Sequence, residues 1–199
     1  MIAVLLAEDQ AMVRGALATL LDLEPDISVI AQAGRGDEAL ALVREQRPDV
    51  ALVDIEMPGL TGLEVAERLR DSPTKVVIVT TFGRPGYLRR AMEAGAAGFL
   101  LKDAPPEVLA DAIRRVAAGE HVIDPDLAVR ALAEGQSPLT AREREVLAAT
   151  LVHGTIADLA TALHLSQGTV RNHLSAAIQK LGVRTRGEAV RVAEERGWL

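Results

Sequence analysis

Through its first 120 residues the chain alternates short aliphatic runs with amphipathic stretches, and this alternation constrains the fold more than any other feature. Strands are predicted at Ile2–Ala7, Ile27–Ala33, Val50–Asp54, Lys75–Thr80 and Gly98–Lys102. Helical patterns lie between them, near Met12–Leu23, Asp37–Gln46, Gly62–Arg70, Tyr87–Ala94 and Glu107–Ala118. A run such as VALVD (Val50 to Asp54) is apolar without alternating, so both faces of that strand must be covered. Five βα units in succession imply an α/β, doubly wound, five-stranded parallel sheet with helices on both faces. Nearly half of the residues are apolar but only 2% are aromatic, so Leu, Val and Ala must fill the core. TGLE (Thr61 to Glu64) is a capping box that marks a helix start.

The strand and turn signals then cease. Residues 121–136 read as a linker with one helix, capped by Asp124, opened by Pro125 and ending at Gly135. Residues 137–199 read as a second, smaller all-α domain, with helices at Ala141–Val152, Ile156–Leu163, Gln167–Leu181 and Arg186–Arg196. TARE (Thr140 to Glu143) and TRGE (Thr185 to Glu188) are two further capping boxes. Sixty residues in four short helices make a compact bundle rather than an enzyme-sized domain.

In an open parallel sheet, ligands bind beyond the carboxyl ends of the strands. The first strand ends in Glu8-Asp9, the third in Asp54, the fourth in Thr80-Thr81 and the fifth in Lys102. Each residue has a plain alternative. Asp54 could be a solvated strand end, Glu8 and Asp9 could cap the first helix, Lys102 could lie on the surface, and Thr80 could be an ordinary strand residue. Their coincidence at four strand ends favours chemistry. Three carboxylates in one place repel each other, and Mg²⁺, which takes oxygen ligands and keeps several waters, would neutralise them. A lysine and a hydroxyl suit the oxygens of a phosphoryl group. Asp54 could accept that group as an acyl phosphate.

Charge separates the two halves. Residues 1–120 hold 13 Lys/Arg against 19 Asp/Glu, whereas residues 121–199 are balanced at 9 and 9. Between Leu163 and Arg191, five basic residues (Arg171, Lys180, Arg184, Arg186, Arg191) face one acid, Glu188. That local excess suits a polyanion, although a solvated helix face would also explain it. On Gln167–Leu181, Val170, Leu174, Ala177, Ile178 and Leu181 share one arc about 100° wide and form a core face. Gly168, Arg171, Asn172, Ser175 and Gln179 occupy the opposite arc. A short helix, the tight turn HLSQGT and this second helix read as a helix-turn-helix whose second helix enters a major groove. Ser166 is its expected cap, leaving backbone N–H groups for a phosphate. Arg171 and Asn172 suit guanine and adenine edges, and Lys180, Arg184 and Arg186, at or beyond the far end, suit phosphates.

Other classes of function find no support. The chain has no cysteine for disulfides, thiolate zinc sites or thiol nucleophiles. His121, His153, His164 and His173 lack metal-ligand spacing. MIAVLLAEDQ has no basic residue before its apolar run and makes a poor secretory signal. No apolar run approaches membrane-spanning length. The expectation is a soluble, cytoplasmic protein with no membrane partner.

Glu8-Asp9, Asp54 in VDIEMPGLTG, Thr80 and Lys102 in GFLLKD resemble the receiver domain of bacterial response regulators, a flavodoxin-like fold. The resemblance implies that Asp54 takes phosphate from a histidine kinase. It also implies that Asp9, Asp54 and the backbone carbonyl of Glu56 bind Mg²⁺ with Glu8 close by, and that Thr80 and Lys102 sense the phosphoryl group. The switch position often held by tyrosine is Phe99, which offers no hydroxyl and can act only through packing. LTAREREVL with LSQGTVRNHLSAAIQKLGVRTRGEAV is similar to the LuxR-type DNA-binding domain of the NarL/FixJ regulators. It implies DNA contacts from Thr169, Arg171, Asn172, Ser175, Lys180, Arg184 and Arg186. In VHGTIADLA the loop departs from the family pattern, with Gly154 one position late and apolar Ile156 in a polar run. Together these imply a transcription factor, not an enzyme, that dimerises on phosphorylation and binds a two-fold double-stranded DNA operator. Two rivals stand beside it. Asp54-Ile55-Glu56 is loosely similar to the nucleophile and acid of haloacid-dehalogenase-type phosphatases. The other rival is a DNA-binding protein whose receiver is only structural.

Overall fold

The computed structural model describes residues 1–81, 83–133 and 137–199. They form two compact units, one of Met1–Gly83 with Leu88–Arg130, the other of Arg84–Tyr87 with Ala131–Leu199.

In the first unit, β1 (Ile2–Ala7), β2 (Ile27–Ala33), β3 (Val50–Asp54), β4 (Lys75–Thr80) and β5 (Gly98–Leu101) occupy the predicted runs. A short β6 (Val122–Ile123) extends the sheet, and all neighbours pair in parallel in the order β2-β1-β3-β4-β5-β6. The sheet therefore has six strands where five were expected. Two residues carry no readable periodicity. β6 exists because Val122 donates to the carbonyl of Ala97 at 3.0 Å and Asp124 to that of Phe99 at 3.2 Å, extending the β5 edge. The sixth strand thus lies within the segment read as linker.

The helices of this unit are α1 (Ala11–Leu21), α2 (Gly36–Gln46), α3 (Gly62–Arg68), α5 (Pro106–Ala117) and, from Leu88 onward, α4 (Pro85–Glu93). Every residue of β3 is buried, as the uninterrupted apolar run requires. Val4, Leu6, Leu52, Val77 and Val79 pack with Leu21 of α1 and Ile113 and Val116 of α5 in one continuous core. Thr61 and Glu64 complete both halves of the predicted capping box of α3. The helix α6 (Pro125–Ala133) opens with Pro125, and Asp124 caps it by accepting from the Leu127 amide at 3.0 Å. Its predicted end at Gly135 lies outside the described residues.

The second unit holds α7 (Ala141–Ala149), α8 (Ile156–Ala162), α9 (Gln167–Leu181) and α10 (Arg186–Glu195). Val146, Leu147, Leu159, Val170, Leu174, Ala189, Ala193 and Trp198 form its core. The helix α7 ends three residues before the expected Val152. Thr150, Leu151 and Val152 instead make tight bonds to the carbonyls three residues back, and the Thr150 hydroxyl also donates to Leu147 O at 2.7 Å. Thr140 and Glu143 form a full capping box. The TRGE box is half formed: the Thr185 hydroxyl accepts from the Glu188 amide, but the Glu188 carboxylate takes the Arg184 amide at 2.9 Å.

Candidate phosphoacceptor site and nucleic-acid interface

The sheet brings four of the predicted residues together at its carboxyl edge. β1 and β3 are neighbours, so Glu8 and Asp9 follow β1 beside Asp54 at the end of β3. Lys102 follows β5 and reaches across: its Nζ lies 2.5 Å from Glu8 Oε2 and 2.9 Å from Asp54 Oδ2. The other Asp54 oxygen, Oδ1, accepts from the Ile55 amide at 2.8 Å, and Glu8 Oε1 accepts from the Gln10 amide at 3.1 Å. Asp54 is 6% exposed and Glu8 1%, while Asp9 is open to solvent. Neither Glu8 nor Asp9 caps α1, whose N-cap is Gln10 without a side-chain bond. Glu8, Asp9 and Asp54 each offer a carboxylate oxygen, all within 4.8 Å of one another.

Burial pushes the carboxyl groups of Asp54 and Glu8 up, against the opposing pull of Lys102. Burial also disfavours the Lys102 ammonium, but its bonds to Glu8 and Asp54 outweigh that and raise its pKa. Lys102 stays charged, and the pocket keeps a cation beside two crowded acids.

Thr80 is buried at the end of β4, and its carbonyl accepts from the Lys102 amide at 2.8 Å. Phe99 is fully buried in β5, in register with Ile78 and Ile123. The Glu56 side chain is exposed, and among the described residues it is not part of the acidic group.

In the second unit, Val170, Leu174 and Ala177 of α9 are buried, whereas Arg171, Asn172 and Ser175 are exposed on its other side. Ser166 caps the helix, its hydroxyl accepting from the Thr169 amide at 3.0 Å and lying 2.8 Å from the Thr169 hydroxyl. Arg171 donates to Gln167 Oε1 at 3.3 Å. Two of the predicted phosphate contacts are engaged inside the unit. Lys180 Nζ lies 2.7 Å from Glu143 Oε2, and Arg186 donates to the carbonyl of Gly154 at 3.2 Å. Arg184 is exposed.

Residues 4–114 match the response regulator receiver domain, and residues 137–193 match the bacterial regulatory proteins of the luxR family. The chain is a two-component response regulator of the LuxR-type family. It is 49% identical to the uncharacterized transcriptional regulatory protein YvfU of Bacillus subtilis and 46% identical to the transcriptional regulatory protein DesR of the same organism, in both cases over all of each chain. Among solved structures it is similar to the response regulator ChrA of a heme-sensing two-component system, with a TM-score of 0.60 and 34% identity over 100% of this chain and 98% of that one.

Two residues of this response regulator's acidic site escaped sequence reasoning. A Cβ at Gly62 would lie 2.1 Å from the carbonyl oxygen of Asp54, so the start of α3 rests directly on the main chain of that residue. The guanidinium of Arg14 donates to the carbonyl of Glu8. Gly62 sits inside the recognised TGLE box, which hinted at its helix position but not at its packing. Arg14 carries no local signal.

Proposed function

We propose that a histidine kinase phosphorylates Asp54 and that the modified protein, as a homodimer, binds a two-fold DNA operator through paired α9 helices. The observation that carries this reading is the Lys102 ammonium bonded to both Asp54 and Glu8 with the Asp9 carboxylate alongside. An ordinary buried ion pair has no use for a third, solvent-open acid. In the transfer, an Asp54 oxygen attacks phosphorus, a new P–O bond forms, and the P–N bond to the kinase histidine breaks. Lys102 balances the charge on the incoming phosphoryl oxygens, and Thr80 at the neighbouring strand end offers a hydroxyl.

The oxygen donors fit Mg²⁺: a hard cation accepts carboxylates, and the open side at Asp9 leaves room for its waters. Asp9, Asp54 and the main-chain carbonyl of Glu56 would hold it, with Glu8 nearby. Bound there, Mg²⁺ supplies positive charge to phosphoryl oxygens. Phe99 completes the switch by repacking, since it has no hydroxyl to exchange. DNA would meet Arg171, Asn172 and Ser175 on the exposed face of α9, with Thr169 near its start. Arg184 is the freest of the distal cations for phosphates, with Lys180 and Arg186 available only after leaving Glu143 and Gly154. A cytoplasmic setting follows from the kinase and DNA partners. Among the described residues no helix is long and apolar enough to cross a membrane.

Incubation of the full chain with acetyl phosphate and Mg²⁺ should add one phosphoryl group by mass spectrometry, and Asp54→Asn should add none. Light scattering with beryllofluoride should show a shift from monomer mass to dimer mass. Undiminished labelling of Asp54→Asn would overturn the assignment, whereas turnover of small phosphomonoesters would favour the phosphatase alternative.

A further inference from the structure

We propose that Arg14 positions the Glu8–Asp9 turn for divalent-cation binding, an assignment that rests on the metal reading of the acidic site. Arg14 lies in the first turn of α1 and is half-buried. Its Nη1 donates to the main-chain carbonyl of Glu8. The same group lies against Gly34 at the end of β2, where a Cβ would stand 3.3 Å from Nη1 and 3.8 Å from Cζ. Glycine there leaves the guanidinium its place. The Glu8 amide donates to Ala33 O at 3.0 Å, so the end of β1 is held both by β2 and by Arg14.

This matters most for Asp9. The Glu8 carboxylate has its own anchors in Lys102 and the Gln10 amide. The Asp9 carboxylate is exposed and has no hydrogen bond or ion pair among the described residues. Its direction depends on the main chain that carries it. The peptide linking Glu8 to Asp9 is planar, so fixing the Glu8 carbonyl fixes the plane from which Asp9 departs. Arg14 is thus a positioning residue that reaches the metal site through a carbonyl.

Electrostatics and positioning predict opposite signs. A guanidinium close to a cation site repels the cation, so simple loss of its charge would tighten binding. Loss of the tether should loosen it. Calorimetric titration of the full chain with MgCl₂ alone, without phosphodonor, separates the two. Arg14→Met should raise the Mg²⁺ dissociation constant about tenfold, the size of effect typical of groups that orient metal ligands. Arg14→Lys, which keeps a donor and a charge, should recover part of that loss. The urea midpoint measured without Mg²⁺ should remain at the wild-type value in the lysine variant. Equal or tighter Mg²⁺ binding by Arg14→Met overturns the proposal. So does a loss of metal affinity in both variants that merely follows a fallen urea midpoint. If the wild type itself binds no Mg²⁺ and Asp9→Ala changes nothing, the metal reading falls, and this assignment with it.

Discussion

At a buried strand end, the two oxygens of Asp54 take bonds from Lys102 and the Ile55 amide, which oppose the upward push of burial on its carboxyl group. The main chain of that residue is closely approached by the start of α3. At Gly62, a methyl group would fall 2.1 Å from Asp54 O, 2.9 Å from its carbonyl carbon and 3.2 Å from Ile55 Cα. These are main-chain atoms and cannot turn aside as a long side chain could. Gly62→Ala should therefore push α3 away from β3, costing about 1–3 kcal/mol of stability, the usual range for overpacking. Labelling of Asp54 by acetyl phosphate should slow in step. A wild-type urea midpoint for Gly62→Ala would contradict the close approach.

Two helices of the second unit end on a left-handed residue. The helix α9 closes with Gly182 at φ 67°, Gly182 and Val183 donating back to Gln179 and Ile178. The helix α8 closes in the same way, but with His164 at φ 54° and Leu165 donating to Ala160 O at 2.8 Å. The turn of the helix-turn-helix thus holds a non-glycine residue in the left-handed region. Glu143 ties the start of α7 to α9, its Oε2 accepting from the Thr140 amide at 2.7 Å and from Lys180 Nζ at 2.7 Å. Burial alone would raise the Glu143 pKa, but the bonds from Lys180 and Thr140 outweigh it and hold the group below its usual 4.5. A depressed carboxyl pKa adds stability that is fully present above the unfolded value and lost as pH falls through the folded one. Glu143→Gln should cost about 2 kcal/mol at neutral pH, in line with a charged hydrogen bond. The gap to wild type should close as the solution is taken below 4.5. Trp198, buried in the same core, reports the urea midpoint by fluorescence. A gap unchanged across this acid range would show that the charge of Glu143 contributes nothing.

For the whole molecule, a receiver with excess acid is joined to a charge-balanced unit whose cations cluster along and beyond α9. Arg171 and Arg184 should fail differently on DNA. Arg171→Ala should lose about 1–3 kcal/mol on a site obtained by selection in vitro and relax the preference at one base pair. Arg184→Ala should weaken binding to selected and scrambled DNA alike and lower the slope of log affinity against log salt by about one. Titrations of both variants at several salt concentrations decide between the roles. Equal losses by Arg171→Ala on both DNAs would make it one more phosphate contact.

The spans of β1 to β4 were legible residue by residue: β3, buried on both faces, reads as an unbroken aliphatic run, and even the edge strand β2 keeps enough of one around its exposed Gln32. So were the two faces of α9, where the 3.6-residue period separates Val170 and Leu174 from Arg171 and Ser175. Strand ends carried Glu8, Asp9, Asp54 and Lys102 into one crevice, since sheet topology alone makes β1, β3, β4 and β5 share an edge. What stayed hidden is non-local or too short for a period. β6 has two residues and forms because the edge of β5 offers carbonyls to them. The bond from Lys180 to Glu143 and the tether from Arg14 to Glu8 depend on which side chain meets which neighbour when elements pack. Periodicity tells which face of an element is buried, and only packing tells what lies against it. Local pattern therefore carried the first five strands and the acidic crevice, while packing decided that β6 joins the sheet, that Lys180 is held by an acid, that Gly62 lies against the main chain of Asp54, and that Arg14 bonds to the carbonyl of Glu8.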